Sequence, residues 1–141
     1  MDTPSNNSFK SYMGYKTITS KNSNQYKLQQ KAYTDPNTGI RMVDGRYCIA
    51  VGTYYTTEIG THIDLVMENG SIVECILADV KANAHTDSTN RQNPNGSIVE
   101  FIVQTKNMDK MSKKMGDMSY ADDRLKGEIK YIRVYGMECE L

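Results

Sequence analysis

Two acidic residues near the middle of the chain have surroundings that suit acid–base chemistry. Asp79 follows an apolar run in SIVECILADV, where strict alternation predicts that it continues the face of Val73, Cys75 and Leu77. Glu100 lies in GSIVEFIVQT with apolar residues on both sides. A carboxylate among apolar strand residues costs free energy unless it is hydrogen-bonded or functional. If the fold brings the two acids together, their repulsion favours a proton on one of them, which a general acid requires.

Glycoside cleavage is a reaction that fits such a pair. A carboxylic acid protonates the leaving oxygen, and in hydrolysis a second carboxylate assists. In a lytic transglycosylase a hydroxyl group of the sugar itself attacks, so one well-placed acid suffices. Two simpler roles stay open: Asp79 as a turn cap bonded to nearby backbone amides, and Glu100 as a solvent-facing residue of a one-sided sheet. Asp79 and Glu100 are the candidate catalytic residues.

The segment between the two acids, VKANAHTDSTNRQNPN, is rich in polar side chains. Asp79, His85 and Asp87 could offer oxygen and nitrogen ligands to a metal ion, but one histidine with two acids is a weak signature. We therefore predict no metal and no cofactor, and expect Asp87 to accept from His85 or from the loop backbone. Tyrosines before Gly60 could stack on sugar rings. The predicted substrate-binding residues are Tyr54, Tyr55, His85, Asp87, Asn90 and Arg91.

Composition argues against several other classes of function. Seventeen basic residues balance seventeen acidic ones, so neither nucleic acid nor a membrane surface is expected as a partner. No Gly-x-Ser-x-Gly elbow and no glycine-rich phosphate loop occurs. Three widely spaced cysteines indicate buried thiols, although one pair could bridge in an oxidising compartment. The cysteines are Cys48, Cys75 and Cys139.

The elements that must position these residues are mostly strands. Residues 1–33 read as a polar, partly disordered N-terminal arm, and residues 34–141 as one β domain. Alternation predicts strands in RYCIAVGTYY, THIDLVMENG, SIVECILADV and GSIVEFIVQT and over residues 128–135, with a hairpin at Asn69-Gly70. One short amphipathic helix is predicted where methionines recur at helical spacing. These methionines are Met108, Met111, Met115 and Met118.

Short strands, glycine-rich turns and one small helix predict a mainly β protein built as a compact barrel. No apolar run approaches the ~20 residues that span a bilayer, and the first residues lack the apolar region of a signal peptide. We therefore expect a protein that acts in the cytosol or in a particle assembled there. The alternative expectation is that this sequence is a domain excised from a longer protein, or the mature form of one.

The central segment IGTHIDLVMENGSIVECILADV, followed by NGSIVEFIV, resembles the double-psi β-barrel of the RlpA-like and 3D-domain proteins. Those domains share an Ile/Leu-Gly-Thr strand start, an Asn-Gly-type hairpin, a strand ending in Asp, and a final Gly-x-Ile-x-Asp strand. The resemblance extends over residues 47–103. The matching positions are Ile59, Gly60, Thr61, Asn69, Gly70, Asp79, Gly96, Ile98 and Glu100.

This resemblance implies a six-stranded double-psi β-barrel with a groove that takes peptidoglycan or a related polysaccharide. Some relatives are lytic transglycosylases that use an aspartate as acid, and others, such as expansins, bind polysaccharide without hydrolysing it. Two features differ from the family pattern. The loop after Asp79 is not glycine-rich, and Glu100 stands where the family usually has Asp.

Two functions follow as alternatives. The first is a peptidoglycan-directed domain that binds or cleaves glycan strands in the manner of a lytic transglycosylase. The second is a non-enzymatic binding or structural module, for example of a bacteriophage tail that contacts the bacterial cell wall. The absence of tryptophan favours the second, which also expects residues 1–30 to pack against neighbouring subunits.

Overall fold

A mixed β-sheet of eight strands organises the part of the chain described by this computed structural model, residues 1–137, 139 and 141. Within this part, two α-helices accompany the sheet, α1 (Asn24–Lys31) and α2 (Lys110–Met115), and neither has the length and apolar character needed to cross a membrane. The strands are β1 (Ser11–Gly14), β2 (Tyr33–Thr34), β3 (Arg41–Val43), β4 (Arg46–Val51), β5 (Thr61–Met67), β6 (Ile72–Val80), β7 (Glu100–Val103) and β8 (Ile129–Met137).

The strand order is β1-β7-β4-β6-β5-β8, with a β2–β3 hairpin attached to β4. Strand β4 lies at the centre, parallel to β6 and antiparallel to β7. The sheet is mixed and open, so the prediction of a mainly β protein is confirmed, whereas a closed six-stranded barrel is not. Continuous pairing ends at β1 on one side and at β8 on the other.

The N-terminal segment contacts both ends of this sheet. Its amino group donates to the carbonyl of Ile132 on β8 at 2.7 Å, and the Ile132 amide donates to the carbonyl of Met1 at 3.0 Å. Farther along, β1 pairs in parallel with β7. Residues 1–33 therefore contain β1, α1 and the first residue of β2, and they pack on the sheet where the sequence predicted a partly disordered arm.

A buried lysine holds this segment between the two ends. The fully buried amine of Lys10 donates to the carbonyls of Ser8 at 2.7 Å and Gly127 at 2.6 Å. Burial lowers the pKa of Lys10 to about 8, although Asp117 and Glu128 oppose this effect. The lysine thus links Ser8 to Gly127 and joins the N-terminal segment to the chain just before β8.

Helix α1 is held on the sheet by an arginine of β3. Ser23 caps the helix by accepting from the Tyr26 amide at 3.1 Å. The guanidinium of Arg41 donates to the carbonyl and to the side-chain oxygen of Gln29, both at 3.0 Å. Leu28 of α1 is fully buried. These contacts give α1 a defined place next to the end of β6.

The alternation predicted for β5 is confirmed, with one exception. Ile63, Leu65 and Met67 are buried as expected. Asp64, predicted on the polar face, is also buried, because Arg46 contacts one carboxylate oxygen at 3.0 Å and the Tyr135 hydroxyl donates to the other at 2.8 Å. The surrounding side chains therefore cover this face of β5 as well.

The Asn69-Gly70 hairpin between β5 and β6 is confirmed. Of these two turn residues, Gly70 has a left-handed backbone, with φ 89°, and Asn69 does not. Asn69 contributes through its side chain, which accepts from the Ser71 amide at 2.8 Å. A loop of this kind, with glycine in the left-handed position, is common in hairpins slightly longer than two residues.

A short helix is present in the segment where one was predicted, but the prediction that methionines form its apolar face is wrong. Helix α2 begins after Asp109, which caps it by accepting from Ser112, and ends at Gly116 with φ 66°. Met111 and Met115 within it are exposed, while Met108 and Met118 are buried outside it. The helical spacing of the methionines did not predict a shared apolar face, because the left-handed Gly116 ends the helix before all four methionines can lie on it.

We predict that Lys10→Met destabilises the protein by about 2–4 kcal/mol, because the two charge-assisted hydrogen bonds that link Ser8 to Gly127 are lost. Urea unfolding followed by circular dichroism measures this difference. Lys16→Met is the matched control, since Lys16 is exposed, and it should change the free energy of unfolding by less than about 0.5 kcal/mol. Equal stabilities of the two variants would contradict the role given to Lys10.

Candidate functional site

Backbone pairing brings Asp79 and Glu100 to the same residue of the central strand. Ala50 of β4 is paired with Asp79 of β6 on one side and with Glu100 of β7 on the other. Directly opposed residues of neighbouring strands lie on the same face of a sheet. The two acids therefore share a face with one small residue between them, and their backbones are about 10 Å apart, twice the strand spacing.

A β-bulge in β6 makes this arrangement possible. Ile49 pairs with Leu77, but the next residue, Ala50, pairs with Asp79, so Ala78 is the extra residue. Without the bulge, Ala50 would face Ala78, and Asp79 would lie on the opposite face from Glu100. The sequence interpretation that Asp79 continues the face of Leu77 is therefore wrong, since alternation along a sequence does not reveal a bulge.

One oxygen of Asp79 is engaged by the protein. Oδ1 accepts from the Val80 amide at 2.9 Å and from the side-chain amide of Gln25 at 3.4 Å. No donor to Oδ2 is present among residues 1–137, 139 and 141. The local bond to Val80 is the turn-cap role considered from the sequence, and Gln25 of α1 adds a contact from a distant segment. The side chain is half-buried, so it is oriented but still reachable.

Glu100 is half-buried and has a lysine beside it. The amine of Lys81 donates to the side-chain oxygen of Asn93 at 2.6 Å and to the carbonyl of Ser97 at 3.0 Å. Burial lowers the pKa of Lys81 to about 8, and the charge of Glu100 acts in the opposite direction. Sequence reasoning missed Lys81. Its position two residues after Asp79, directly behind an apolar strand, was the available signal.

Three of the predicted substrate-binding residues meet where two loops pack together. The Tyr54 amide donates to the carbonyl of Asn90 at 3.3 Å, and the Arg91 guanidinium lies over the Tyr54 ring at 4.7 Å. A Cβ atom at Gly52 would lie 2.0 Å from the Asn90 oxygen, so only glycine permits this approach. Tyr54 is exposed and its ring is partly covered by Arg91.

The other three predicted binding residues occupy different settings. Tyr55 is buried, its hydroxyl donates to the carbonyl of Asp2 at 3.2 Å, and burial raises its pKa. Asp87 is exposed and accepts from the Arg91 amide at 3.0 Å, which is the main reason that its pKa is lowered. It organises the loop backbone, one of the two roles considered from the sequence. His85 is exposed at the end of a short 3₁₀ turn.

A cleft of about 460 Å³ opens between the first turn of α1 and the loop before β5. Asp79 is not among the residues that line it. One wall is the first turn of α1, with Asn24 and Gln25, and the other is the loop of Thr57, Glu58 and Ile59. Gln25 links the cleft to the acid through its contact with Asp79 Oδ1. Sequence reasoning placed α1 in the polar arm and therefore missed this wall.

Neither a metal centre nor a redox pair emerges in the described part of the chain. No three His, Cys, Asp or Glu residues within it are grouped so that they could hold a metal ion. Cys48, Cys75 and Cys139 are buried and form no disulfide there. Burial raises the pKa of Cys48 to about 12, and it raises the pKa of Cys75 well above its ordinary value. These two thiols behave as small core side chains.

Comparisons with protein-family models, with curated proteins and with solved structures find no match to this chain. The features of the chain that bear on its function are therefore the shared pairing of Asp79 and Glu100 with Ala50 and the contact between Gln25 and Asp79.

We predict that the stability deficit of Lys81→Met relative to wild type grows between pH 8 and pH 10. The pKa of Lys81 is about 8 in the folded protein, against an ordinary value of 10.5. In this interval the unfolded chain holds more protons at this position than the folded one, so raising the pH favours folding of the wild type. The variant lacks this contribution, which is at most about 1.4 kcal/mol per pH unit.

Urea unfolding of both proteins at pH 7, 8, 9 and 10 measures this deficit, and other titrating groups cancel in the difference. Lys106→Met is the control, because Lys106 is exposed; its deficit should stay the same across the series. A pH-independent deficit for Lys81→Met would show that the amine is not held in a buried site.

Proposed function

We propose that this protein is a peptidoglycan-directed domain that binds and cleaves cell-wall glycan strands in the manner of a lytic transglycosylase. The observation that carries this proposal is the pairing of Asp79 and Glu100 with the same alanine, which places both acids on one face of the sheet. A cell-wall or virion-associated location follows from such a substrate. Nucleic acid and membranes are not part of the proposal.

We also propose that the sheet is an elaborated form of the six-stranded double-psi β-barrel. Support comes from central strand β4, which has a parallel neighbour on one side and an antiparallel neighbour on the other. Further support comes from the N-terminal segment, which bonds to β8 through Met1 and to β7 through β1. In this interpretation residues 1–14 join the two ends of the sheet.

Asp79 is the proposed general acid. Its Oδ1 is held by Val80 and Gln25, which leaves Oδ2 to approach a glycosidic oxygen. Asp79 gives its proton to the leaving oxygen while a hydroxyl of the same sugar forms the new bond to the anomeric carbon. The proton of that hydroxyl then passes to Asp79, so the acid is restored and no water is consumed.

Glu100 and Lys81 set the electrostatic conditions of this step. A carboxylate of Glu100 stabilises the positive charge that develops at the anomeric carbon. Through Asn93 and Ser97, Lys81 holds the loop that leads into β7. Tyr54 and Arg91 lie on the adjoining loops, where a ring and a cation can contact sugar.

A second candidate is a non-enzymatic binding or structural module, such as a component of a phage tail that contacts the cell wall. The bond from the Val80 amide to Asp79 favours it, because a carboxylate that caps its own strand end has a structural role. In this case the domain would bind glycan without cleaving it, and residues 1–30 would contribute to contacts with neighbouring subunits.

We predict that the purified protein releases anhydro-muropeptides from peptidoglycan, as detected by mass spectrometry. Asp79→Asn should reduce the initial rate by about 10²–10⁴-fold, the usual contribution of a general acid. Glu100→Gln should reduce it by about tenfold or more, since one electrostatic contribution is lost. Both substitutions keep side-chain size and shape.

Glu68→Gln is the matched control, because Glu68 is an exposed acid outside the site, and it should retain the wild-type rate. Sedimentation with insoluble peptidoglycan measures binding separately. Binding without product would support the second candidate. Product formation that survives both Asp79→Asn and Glu100→Gln would refute the proposed mechanism.

A further inference from the structure

Strands β6, β5 and β8 lie side by side, and one face of these three strands is not part of the core. On the core side, Ile63 and Leu65 of β5 are fully buried. On the other side, directly paired residues form two rows that cross the three strands, and we call these two rows the outer face. The apolar row is Ile72, Val66 and Tyr131, and the charged row is Glu74, Asp64 and Arg133.

The apolar row of the outer face is accessible to solvent. Ile72 is 48% exposed, and Val66 and Tyr131 are half-buried. Tyr135 lies two residues after Arg133, on the same side of β8, and is 38% exposed. Single exposed apolar side chains are ordinary on a protein surface. Side chains that are paired across neighbouring strands form a continuous apolar strip instead, which is typical of a contact surface.

The charged row has opposite charges at its two ends. Glu74 lies at the β6 end with 63% of its side chain exposed, and its contact with Arg46 measures 3.4 Å. Arg133 lies at the β8 end and is exposed. Its guanidinium donates to the hydroxyls of Tyr131 at 3.0 Å and Tyr135 at 3.4 Å. Within residues 1–137, 139 and 141 no carboxylate contacts this guanidinium, so the tyrosines hold in place a cation that can accept an acid from outside.

The two rows complement a second copy of themselves when two outer faces meet about a two-fold axis parallel to β5. Such an axis lays β6 of one copy over β8 of the other, because β5 is the middle strand. Glu74 of each copy then meets Arg133 of the other, and Ile72 meets Tyr131. Val66 meets the same residue of the second copy. A surface that is complementary to itself in this manner is what a two-fold dimer requires.

We propose that the outer face is a two-fold interface through which two copies of this chain associate. Tyrosine and arginine are the residue types that most often dominate the binding energy of an interface. Asp64 adds no unpaired charge, because Arg46 and the Tyr135 hydroxyl already bond to its two oxygens. The face is three strands wide, so we expect a dissociation constant of about 10–100 µM, that of a small and reversible interface. This inference does not depend on the proposed function.

Reversal of one charge at either end of the charged row tests the contact. In Arg133→Glu two glutamates face each other at both symmetry-related contacts, and in Glu74→Arg two arginines do. Each variant alone should therefore associate at least about tenfold more weakly than wild type. Sedimentation velocity over a concentration series measures the dissociation constant, and thermal unfolding checks that each variant is folded. Lys113→Glu is the matched control, because Lys113 is exposed on α2, and it should associate as wild type does.

An equimolar mixture of the two reversal variants distinguishes this geometry from any other dimer. In a mixed pair, glutamate at position 133 of one chain faces arginine at position 74 of the other. At the second contact the unchanged Glu74 of the first chain faces the unchanged Arg133 of the second. Both contacts are attractive again, so the mixture should associate about as tightly as wild type although neither variant does so alone.

The apolar row has its own variant, Ile72→Ser. Each copy then loses one apolar side chain from the interface, and association should weaken by about tenfold or more. Wild type that stays monomeric throughout the concentration series would overturn the proposal. Dimers that persist in both reversal variants would place the interface on another surface and would overturn it as well. A mixture that stays monomeric while wild type dimerises would refute the contact between Glu74 and Arg133 and the two-fold arrangement with it.

Discussion

The register between β4 and β6 is the constraint on which the candidate site depends. Ile49 is opposite Leu77, yet Ala50 is opposite Asp79, so a single extra residue on β6 turns the acid to the face that Glu100 occupies. Side chains alternate between the two faces of a strand, so a side chain changes face only when the register shifts by a whole residue. Bulges are frequent beside functional sites for this reason.

The N-terminal segment makes this sheet a stable support. An isolated open sheet leaves unpaired backbone groups at each edge, and here residues 1–14 bond to both edge regions of the strand order. The buried Lys10 is part of that arrangement, since its amine accounts for two carbonyls between the edges. The segment that continues into α1 therefore serves both the stability of the sheet and the geometry of the cleft.

Three acidic side chains and one buried lysine determine the charge of the site. Asp79 and Glu100 share a face, Glu58 lies in the cleft, and Lys81 is buried behind Glu100. A lysine with a lowered pKa is a costly group to keep. Its bonds to Asn93 and Ser97 offset part of this cost and hold the loop before β7 in place.

Sequence alone determined the mainly β character and the hairpin at Asn69-Gly70, because local alternation and turn chemistry are encoded by neighbouring residues. Tertiary structure decided the rest. The bulge at Ala78, the buried Lys81 and the contact of Gln25 with Asp79 join segments that are distant in the chain. Such contacts depend on which strands become neighbours in the sheet, and the local sequence pattern of one strand does not determine its neighbours.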